Sequence, residues 1–287
     1  SNTDKNPAPR LAGKVAVVSG AGTYGGSGVG NGAAAAILMA REGAKVVLVD
    51  AEKQWADATR AIIEEEGGEA ITVTANVTDA EDCRKAIDAA VERFGGVHIL
   101  HNNVGGGAGS GSVVEATEEA WQASMSINLM SMINMSRYAI PHMASSGGGA
   151  IINVSSVTAL RPKAGRSSAP YTVNKSAVVG LTRAMALDHA EENVRVNCIM
   201  PGLMWTPRVA SGGSADARET RQTSTPLPVE GESWDIGWAS VFLASDEAGM
   251  LDRRLVSAST EDFPFQEERI RQIMASDAFP IRRVDLG

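Results

Sequence analysis

The most reactive combination in this sequence is a tyrosine and a lysine four residues apart, Tyr171 and Lys175, which follow a serine pair at Ser155 and Ser156. If a helix begins near Tyr171, the phenol and the ammonium lie on the same face of it. A free phenol has a pKa of about 10, and an adjacent fixed positive charge lowers that pKa. The phenol can then exchange a proton with a substrate oxygen that a serine hydroxyl holds in place. Because most such pairs only decorate a helix surface, this prediction depends on the surrounding elements.

A glycine-rich turn joins the first two predicted strands. Residues 14–19 form a short apolar strand, the turn covers residues 20–32, and an alanine-rich helix closed by Gly43 leads to a second strand at residues 45–49. Short apolar runs of this kind are typical of strands buried on both faces of a parallel sheet. A strand, a glycine turn, a helix and a strand in this order predict the unit that binds dinucleotides, with the phosphates at the helix N-terminus.

An aspartate, Asp50, ends the second strand, about twenty residues beyond the glycines. A carboxylate at this point accepts hydrogen bonds from ribose hydroxyls and repels a 2′-phosphate. Neither the glycine turn nor position 51 supplies a basic residue that would bind such a phosphate. We therefore predict NAD rather than NADP as the cofactor; the alternative is that Asp50 is only the solvated end of a strand.

Alternating helices and strands continue along the chain and predict an α/β fold. The remaining predicted strands are residues 70–74, 97–101, 151–155, 194–199 and 254–257, and the remaining predicted helices are residues 54–66, 79–94, 118–143, 171–191 and 234–243. Asp79 is the predicted N-cap of its helix. Since no repeat or second periodic block occurs, we predict one domain over residues 11–259, with a polar lid at about 207–233 and a tail over residues 260–287.

The long helix predicted at residues 118–143 contains one residue that does not fit an apolar stripe. Asn128 stands between Ile127 and Leu129. An asparagine inside a helix usually faces water or bonds to its own backbone. We expect the large apolar residues of the helix to pack into the core and its methionines to have no other role. These residues are Trp121, Met125, Leu129, Met132 and Ile133.

The composition argues against several classes of function. The net charge is −8, with no basic cluster, so a nucleic-acid partner is not expected. No apolar run is long enough to span a bilayer, and the polar N-terminus has no apolar signal region. Cys83 and Cys198 are expected as small buried residues, and the four histidines, which lack metal-ligand spacing or a carboxylate partner in sequence, as structural ones. We predict a cytoplasmic protein without a metal site.

Together, these pieces resemble the short-chain dehydrogenase/reductase family from Leu11 to about Ala248. Seven motifs occur in the order of that family: the glycine turn, Asp50, Asn102-Asn103-x-Gly105, Asn128, Ser156, Tyr171-x-x-x-Lys175, and Pro201-Gly202 with Thr206. The resemblance implies a single Rossmann-type, doubly wound α/β domain with a parallel sheet of about seven strands. It also implies hydride transfer to or from a nicotinamide.

The same resemblance assigns roles to residues. It implies that Tyr171 is the general acid/base, that Lys175 lowers its pKa and bonds the nicotinamide ribose, and that Ser156 polarises the substrate oxygen. Ser155 stays as the alternative serine, because the loop before Tyr171 is longer than is usual in the family. Asn128 is expected to anchor a water in a proton relay behind Lys175. The resemblance places the other cofactor contacts at Gly20, Gly28, Val29, Gly30, Asp50, Asn76, Val77, Asn103, Gly105, Pro201, Gly202, Met204 and Thr206.

The chain departs from the family pattern in three places. Extra residues in the glycine turn could move Gly20 away from the pyrophosphate, which makes Gly28 and Gly30 the firmer contacts. Asn76 stands where the family has an aspartate, and we expect its side-chain oxygen to accept weakly from the adenine amine. Residues 255–258 and a long tail replace the usual last strand, which changes one subunit interface. The tail residues expected to pack over an active site, the chain's own or a neighbour's, are Phe263, Phe265, Ile270 and Ile273.

The sequence thus predicts an NAD-dependent alcohol dehydrogenase or ketone reductase that acts on a small molecule and assembles as a homo-oligomer, a tetramer or a dimer. Leu203, Met204, Trp205 and Val157 indicate a partly apolar pocket for a cyclic or aromatic secondary alcohol, although Trp205 fits a core position equally well. A dihydrodiol dehydrogenase or an epimerase on the same scaffold is an alternative. A catalytically silent NAD-binding regulator is another, against which the complete set of catalytic residues argues.

Overall fold

The computed structural model of the protein describes residues 9–23, 28–107, 109–162, 168–211, 218–219, 230–250 and 255–258. Its strands are β1 (Val15–Ser19), β2 (Lys45–Asp50), β3 (Ala70–Thr74), β4 (Ile99–Asn102), β5 (Gly149–Val154), β6 (Val194–Pro201), β7 (Met204–Trp205), β8 (Gly231–Glu232) and β9 (Leu255–Ala258). Its α-helices are α1 (Asn31–Arg41), α2 (Lys53–Glu65), α3 (Ala80–Phe94), α4 (Glu118–Met125), α5 (Ser131–Ser145), α6 (Ala169–Asp188), α7 (Pro207–Ala210) and α8 (Ser233–Ala244). A π-helical turn, Ser126–Met130, joins α4 to α5.

Seven of these strands form one parallel sheet in the order β3-β2-β1-β4-β5-β6-β9. The predicted Rossmann-type, doubly wound α/β fold is therefore confirmed, and the seventh strand starts one residue later than predicted. The chain moves outward from β1 to β3 and then returns to place β4 on the other side of β1. A crevice opens at such a reversal, beyond the carboxyl ends of the two central strands.

Both faces of the sheet are covered, as the continuous apolar strands predict. In β2, Val46 and Leu48 face a core layer that includes α1 and α8, whereas Val47 and Val49 face the opposite layer with α3 and α5. All four of these side chains are completely buried. Because side chains alternate along a strand, one strand contributes to the core on each face of the sheet. Burying each aliphatic side chain contributes on the order of 1.5–3 kcal/mol to folding. The sheet is held rigidly enough to fix the positions of its strand ends.

The helix predicted at residues 118–143 is interrupted by the π-helical turn. A π-turn fits one extra residue into the helix and shifts which positions face inward. As a result Ser124 and Asn128 are fully buried, while Met125 is 42% exposed. The prediction that Met125 packs in the core is therefore wrong. Of the two alternatives for Asn128, facing water is wrong, whereas a bond to its own backbone is confirmed, because its side-chain nitrogen donates a hydrogen bond of 3.0 Å to the carbonyl oxygen of Ser124.

The histidines and cysteines occupy structural positions. His101 is buried, and its Nε2 lies 2.9 Å from the Ser240 hydroxyl; His98 Nδ1 accepts a hydrogen bond of 3.0 Å from the Val15 amide. His189 does have a carboxylate partner in sequence, contrary to expectation, because its Nδ1 lies 2.7 Å from the Glu192 carboxylate. Burial raises the pKa of the Cys83 thiol to about 12, which makes it unreactive at neutral pH.

Some predictions fall outside the described residues. Most of the polar lid at 207–233 and the whole tail at 260–287 lie there, including its four apolar residues. The division into one domain over residues 11–259 and a tail stays a prediction. Within the described part of the chain, no helix is long and apolar enough to cross a membrane.

Candidate active site

Two joined cavities occupy the crevice at the carboxyl ends of the central strands. The larger one, about 390 Å³, is lined by Ser156, Tyr171 and Lys175 and is called the tyrosine cavity below. The other, about 270 Å³, is lined by Asp50 and is called the aspartate cavity. Four residues line both of them: Gly20, Asn103, Gly105 and Arg208. The two cavities therefore adjoin each other along these residues, and together they are called the cleft below.

The start of α6 places the phenol and the ammonium side by side. The Ser168 hydroxyl accepts a hydrogen bond from the Tyr171 amide, and Pro170 occupies the first turn, so the helix begins just before the tyrosine. Lys175 follows one turn later, and its Nζ lies 5.8 Å from the centre of the Tyr171 ring. The same Nζ donates a hydrogen bond of 2.8 Å to the carbonyl oxygen of Val154 at the end of β5. The predicted shared face is confirmed.

Burial dominates the ionisation of both groups. It raises the pKa of Tyr171 above its usual value, whereas a hydrogen bond to Ser156 and the positive charge of Arg208 act in the opposite direction. Burial also lowers the pKa of Lys175 to about 8. The prediction that Lys175 lowers the pKa of Tyr171 does not hold for the protein alone, because loss of water opposes the charged form of each group. At neutral pH the phenol is protonated.

The two serines have different surroundings. The Ser155 hydroxyl is buried and donates a hydrogen bond of 2.6 Å to the carbonyl oxygen of Lys175, so it ties β5 to α6. The Ser156 hydroxyl lines the tyrosine cavity, accepts a hydrogen bond from the Thr158 amide and lies near enough to the Tyr171 phenol to lower its pKa. Of the pair, only Ser156 presents its hydroxyl beside the phenol.

Asn128 is held by the loop that follows β4. Its side-chain oxygen accepts a hydrogen bond of 3.0 Å from the Gly106 amide, and its side-chain nitrogen donates to the carbonyl oxygens of Gly106 and Ser124. A β-carbon at Gly105 would lie 2.7 Å from Lys175 Nζ and 3.0 Å from Asn128 Oδ1. Asn128, Gly105 and the lysine are therefore in one packed group behind the phenol. Only a glycine fits between them.

The glycine turn leads into α1 with little side-chain bulk. A β-carbon at Gly32 would lie 2.1 Å from the Gly20 carbonyl oxygen, so β1 and α1 approach as closely as they do only because this residue is glycine. Gly30, the N-cap of α1, provides no side-chain hydrogen bond to the first turn, and that turn contains no acidic residue. Amide groups of the helix start therefore face the cleft, where an anion would be favoured.

Asp50 is oriented by backbone amides. One carboxylate oxygen accepts from the Gly22 amide at 2.9 Å, and the other accepts from the Glu52 amide at 3.0 Å. Each oxygen keeps a further lone pair for a ligand hydroxyl. Val77 and Asn76 line the same cavity. This end of the cleft has the shape and the acceptors for a ribose and a base.

Comparisons with known proteins agree with this arrangement. A family model described as enoyl-(acyl carrier protein) reductase, adh_short_C2, matches residues 25–252. The human dehydrogenase/reductase SDR family member 4 is 37% identical over 242 residues, which cover 84% of this chain and 84% of that protein. The chain is a short-chain dehydrogenase/reductase. It is thus an oxidoreductase that uses a nicotinamide cofactor.

Two further relatives of this short-chain dehydrogenase/reductase have informative names. A 2,5-dichloro-2,5-cyclohexadiene-1,4-diol dehydrogenase from Sphingobium indicum is 39% identical over 241 residues, 84% of this chain and 92% of the relative. A solved structure of a 7α-hydroxysteroid dehydrogenase with NADH and 7-oxo glycochenodeoxycholic acid is 30% identical and superposes with a TM-score of 0.80, covering 88% of this chain and 95% of that one.

In this short-chain dehydrogenase/reductase, most predicted contacts line the cleft. Gly20, Gly30, Pro201, Gly202, Met204 and Thr206 line the tyrosine cavity, as do Asn103 and Gly105. Gly20 therefore borders the cleft in spite of the extra residues in the turn. Gly28 and Val29 instead face a smaller neighbouring cavity, beside Trp205 and Pro207.

The predicted apolar pocket is only half correct. Leu203 and Met204 line the tyrosine cavity. Val157 is buried in a core cluster with Cys198, and Trp205 faces the neighbouring cavity, where the Arg218 guanidinium lies 4.4 Å from its ring centre. Successive side chains of a strand point to opposite sides, so Met204 and Trp205, which are adjacent in β7, line different cavities.

The prediction for Asn76 also needs correction. Its side-chain oxygen accepts hydrogen bonds from the Thr78 amide at 3.1 Å and from the Thr78 hydroxyl at 2.8 Å. A carbonyl oxygen has two lone pairs, so this oxygen is not available to an adenine amine. Only the side-chain NH₂, a donor, remains for a base in the aspartate cavity.

Sequence reasoning missed Arg208, which lines both cavities. The signal was present: Thr206 caps the short helix α7, with Pro207 at its first position. That pattern sets Arg208 in the first turn of a helix that starts at the cleft. Trp55, in the aspartate cavity, was missed as well. Among the described residues, no group of three His, Cys, Asp or Glu side chains could hold a metal ion.

Proposed function

We propose that this short-chain dehydrogenase/reductase transfers a hydride between NAD and a secondary alcohol or ketone, with Tyr171 as general acid/base. The observation that carries the proposal is that Ser156, Tyr171 and Lys175 line one cavity. A substrate oxygen placed against both hydroxyls would accept or donate a proton while its carbon changes oxidation state. Such a pair of hydroxyls suits a carbinol or a carbonyl group.

The described residues fit the dinucleotide that the family uses. The close approach of Gly32 to Gly20 and the uncapped start of α1 form a cradle for a diphosphate, and Asp50 offers acceptors for ribose hydroxyls. In the tyrosine cavity, Pro201, Gly202, Met204 and Thr206 would flank the nicotinamide. When bound, the oxidised nicotinamide accepts the hydride and adds a positive charge to the cavity.

In the oxidative direction, Tyr171 would act as the phenolate. Its own proton would leave through the water proposed at Asn128, and the phenolate would take the hydroxyl proton while the carbinol carbon loses its hydride. Ser156 donates a hydrogen bond to the alkoxide-like oxygen as charge develops there. In the reductive direction, the protonated phenol, which is the form favoured by burial, donates its proton to the carbonyl oxygen. Lys175 keeps a positive charge near the phenol and is proposed to bond the nicotinamide ribose. Asn128 is proposed to hold a water that passes the proton onward behind Lys175.

Asp50 supports NAD as the preferred cofactor. Its carboxylate is fixed by two amides, and it would repel a phosphate on the adenosine ribose. Arg208 is basic and lines the same cavity, but it makes no ion pair with Asp50. Its guanidinium instead packs over Gly106, where a β-carbon would lie 2.9 Å from one of its nitrogens. That position is at the junction of the two cavities.

A cyclic diol is a second candidate substrate. The relative from Sphingobium indicum, 39% identical, is named as a dehydrogenase of a cyclohexadiene diol. Leu203 and Met204 provide apolar surface for a ring in the tyrosine cavity. Both candidates require the same proton transfer at Tyr171. They differ only in whether a second hydroxyl is recognised.

The test is a screen of cyclic and aromatic secondary alcohols, with and without a neighbouring hydroxyl, against NAD and NADP, in which the absorbance of the reduced nicotinamide is followed. We expect turnover with NAD, and faster turnover of diols if the second candidate is correct. Binding of NAD without turnover of any alcohol or ketone would favour a silent NAD-binding protein. The Tyr171→Phe variant, assayed in parallel, shows whether any activity belongs to this site.

We also propose that the enzyme is a cytoplasmic homo-oligomer. Trp238 and Phe242, one turn apart on α8, are 48% and 39% exposed, and large apolar side chains exposed together favour contact with another subunit. Analytical ultracentrifugation of the wild type and of Trp238→Ser would test this proposal. A wild type that sediments as a monomer at micromolar concentration would contradict it.

A further inference from the structure

Arg208 places a cation at the junction of the two cavities. It lines both the tyrosine and the aspartate cavities and its side chain is exposed; among the described residues, its guanidinium makes no hydrogen bond or ion pair. An arginine guanidinium presents its N–H donors in a planar fork that matches a carboxylate or a phosphate. Here the guanidinium packs on the backbone at Gly106, which has no side chain to bond it, and the exposed side chain keeps its donors open to water or to a ligand.

The wall opposite this cation is the glycine turn. Pro207, the neighbour of Arg208, lies against the turn, since a β-carbon at Gly28 would be 3.4 Å from its ring. The uncapped start of α1 borders the same cavity through Gly30, Asn31 and Gly32. Amide donors on one side and a guanidinium on the other therefore face a short passage between the two cavities. A ligand group that carries two negative charges matches both walls.

We infer that Arg208 binds the diphosphate that links the two halves of the dinucleotide and thereby closes the cleft from the α7 side. This inference rests on the proposed use of a dinucleotide, and it assigns to this chain a contact that the glycine turn alone does not provide. An alternative source of negative charge is a carboxylate on the substrate, and another is a 2′-phosphate on the cofactor. The following experiment distinguishes the three.

The experiment measures dissociation constants by calorimetry for the wild-type enzyme, Arg208→Gln, Arg208→Lys and Arg183→Gln. The ligands are NADH, NADPH, ADP-ribose and adenosine. Arg183 is a matched control, because it is an exposed arginine on α6 that lines neither cavity. ADP-ribose carries the diphosphate without the nicotinamide, so the readout does not require any turnover.

We expect Arg208→Gln to raise the dissociation constants of NADH and of ADP-ribose by about tenfold each, because one hydrogen-bonded charge pair is lost. Adenosine should bind within about twofold of the wild type, because it has no phosphate. Arg208→Lys should recover part of the loss, since lysine keeps the charge but not the two-pronged geometry. The wild type should also lose ADP-ribose affinity more steeply with added salt than Arg208→Gln does.

Several outcomes would overturn the inference. If Arg208→Gln and Arg183→Gln bind ADP-ribose equally well, Arg208 does not contact the diphosphate. A loss confined to NADPH would assign Arg208 to a 2′-phosphate, and unchanged cofactor binding with a raised KM for acidic substrates only would assign it to a substrate carboxylate. A wild type that binds neither NADH nor ADP-ribose would refute the proposed function itself, and the inference with it.

Discussion

The tyrosine and aspartate cavities share one cleft but are built differently. Lys175, which lines the tyrosine cavity, is 2% exposed and is held by the carbonyl oxygen at the end of β5. Asn128, beside it, is 0% exposed and is held by the loop that follows β4. In the aspartate cavity, Asp50 is half-buried and is oriented by the amides of Gly22 and Glu52, whereas Asn76 is exposed and is oriented by the Thr78 amide of its own turn. The polar groups of the first region are therefore buried, whereas those of the second are half-buried or exposed.

This difference matches the two tasks of the cleft. Proton transfer depends on pKa values, and burial is what shifts the pKa of Tyr171 and of Lys175. Recognition of a ribose and a base depends on where donors and acceptors point, which exposed turns can fix equally well. Changes in the tyrosine cavity should therefore have larger effects than changes in the aspartate cavity. Four substitutions test this ordering.

The largest effect is expected for Tyr171→Phe, which removes the proton carrier and keeps the ring. Turnover should fall by roughly 10³-fold, the usual contribution of a general acid/base, while NADH affinity changes by less than about twofold. Steady-state kinetics and NADH fluorescence titration measure the two quantities. Retained activity would show that the tyrosine cavity is not the site of proton transfer.

A pH-dependent effect on stability is expected at Lys175. Burial lowers its pKa to about 8 in the folded protein, whereas in the unfolded chain the group keeps its ordinary value of about 10.4. Between these two values the unfolded chain binds more protons, so the free energy of unfolding of the wild type rises with pH there. Below pH 8 the full cost of the buried charge is present.

Urea denaturation of the wild type and of Lys175→Met at several pH values isolates this contribution, since other titrating groups cancel in the difference. The wild type should gain up to about 3 kcal/mol relative to the variant between pH 8 and pH 10.4. A difference that does not change with pH would mean that Lys175 is better hydrated than its burial indicates.

A smaller effect is expected for Asp50→Asn in the aspartate cavity. The amide keeps an acceptor oxygen and removes the negative charge that repels a 2′-phosphate. The ratio of kcat/KM for NAD to that for NADP should fall by about tenfold, mainly because NADP improves. An unaltered ratio would remove the evidence that the carboxylate selects the cofactor.

The smallest effect is expected for Asn76→Asp. Thr78 occupies the side-chain oxygen of Asn76, so the wild type offers a base only an NH₂ donor. An aspartate would offer an acceptor for the adenine amine in the same place. The preference for NADH over its hypoxanthine analogue, measured as the ratio of their dissociation constants, should therefore be about threefold larger in the variant than in the wild type. Equal ratios in both proteins would place the base elsewhere in the cavity.

The fold and most of the tyrosine cavity could be predicted from the sequence, because both depend on local patterns. Apolar runs of five or six residues predicted β1, β2 and β3 to within one residue, and the i, i+4 spacing predicted that Tyr171 and Lys175 share a face. Asp50 followed from its place at the end of β2. Each of these inferences uses residues close together in the chain.

What the sequence could not supply depends on residues distant in the chain or on one extra residue. The pKa of Tyr171 is set by burial under elements from several parts of the chain. Arg208 meets Gly106 only because β4 and β6 end at the same edge of the sheet. The π-helical turn breaks a helical period that looks regular, and with it the expected burial of Met125.

The π-helical turn Ser126–Met130 also determines how α4 is rotated relative to α5. Because successive residues of an α-helix are about 100° apart, deleting a single residue here would turn all of α4 by that angle. Met125 would then swing toward the interior and Ser124 away from α6, to which it is bonded through Asn174. An intact cleft therefore requires the exact number of residues between α4 and α5 as well as the right side chains in the cleft.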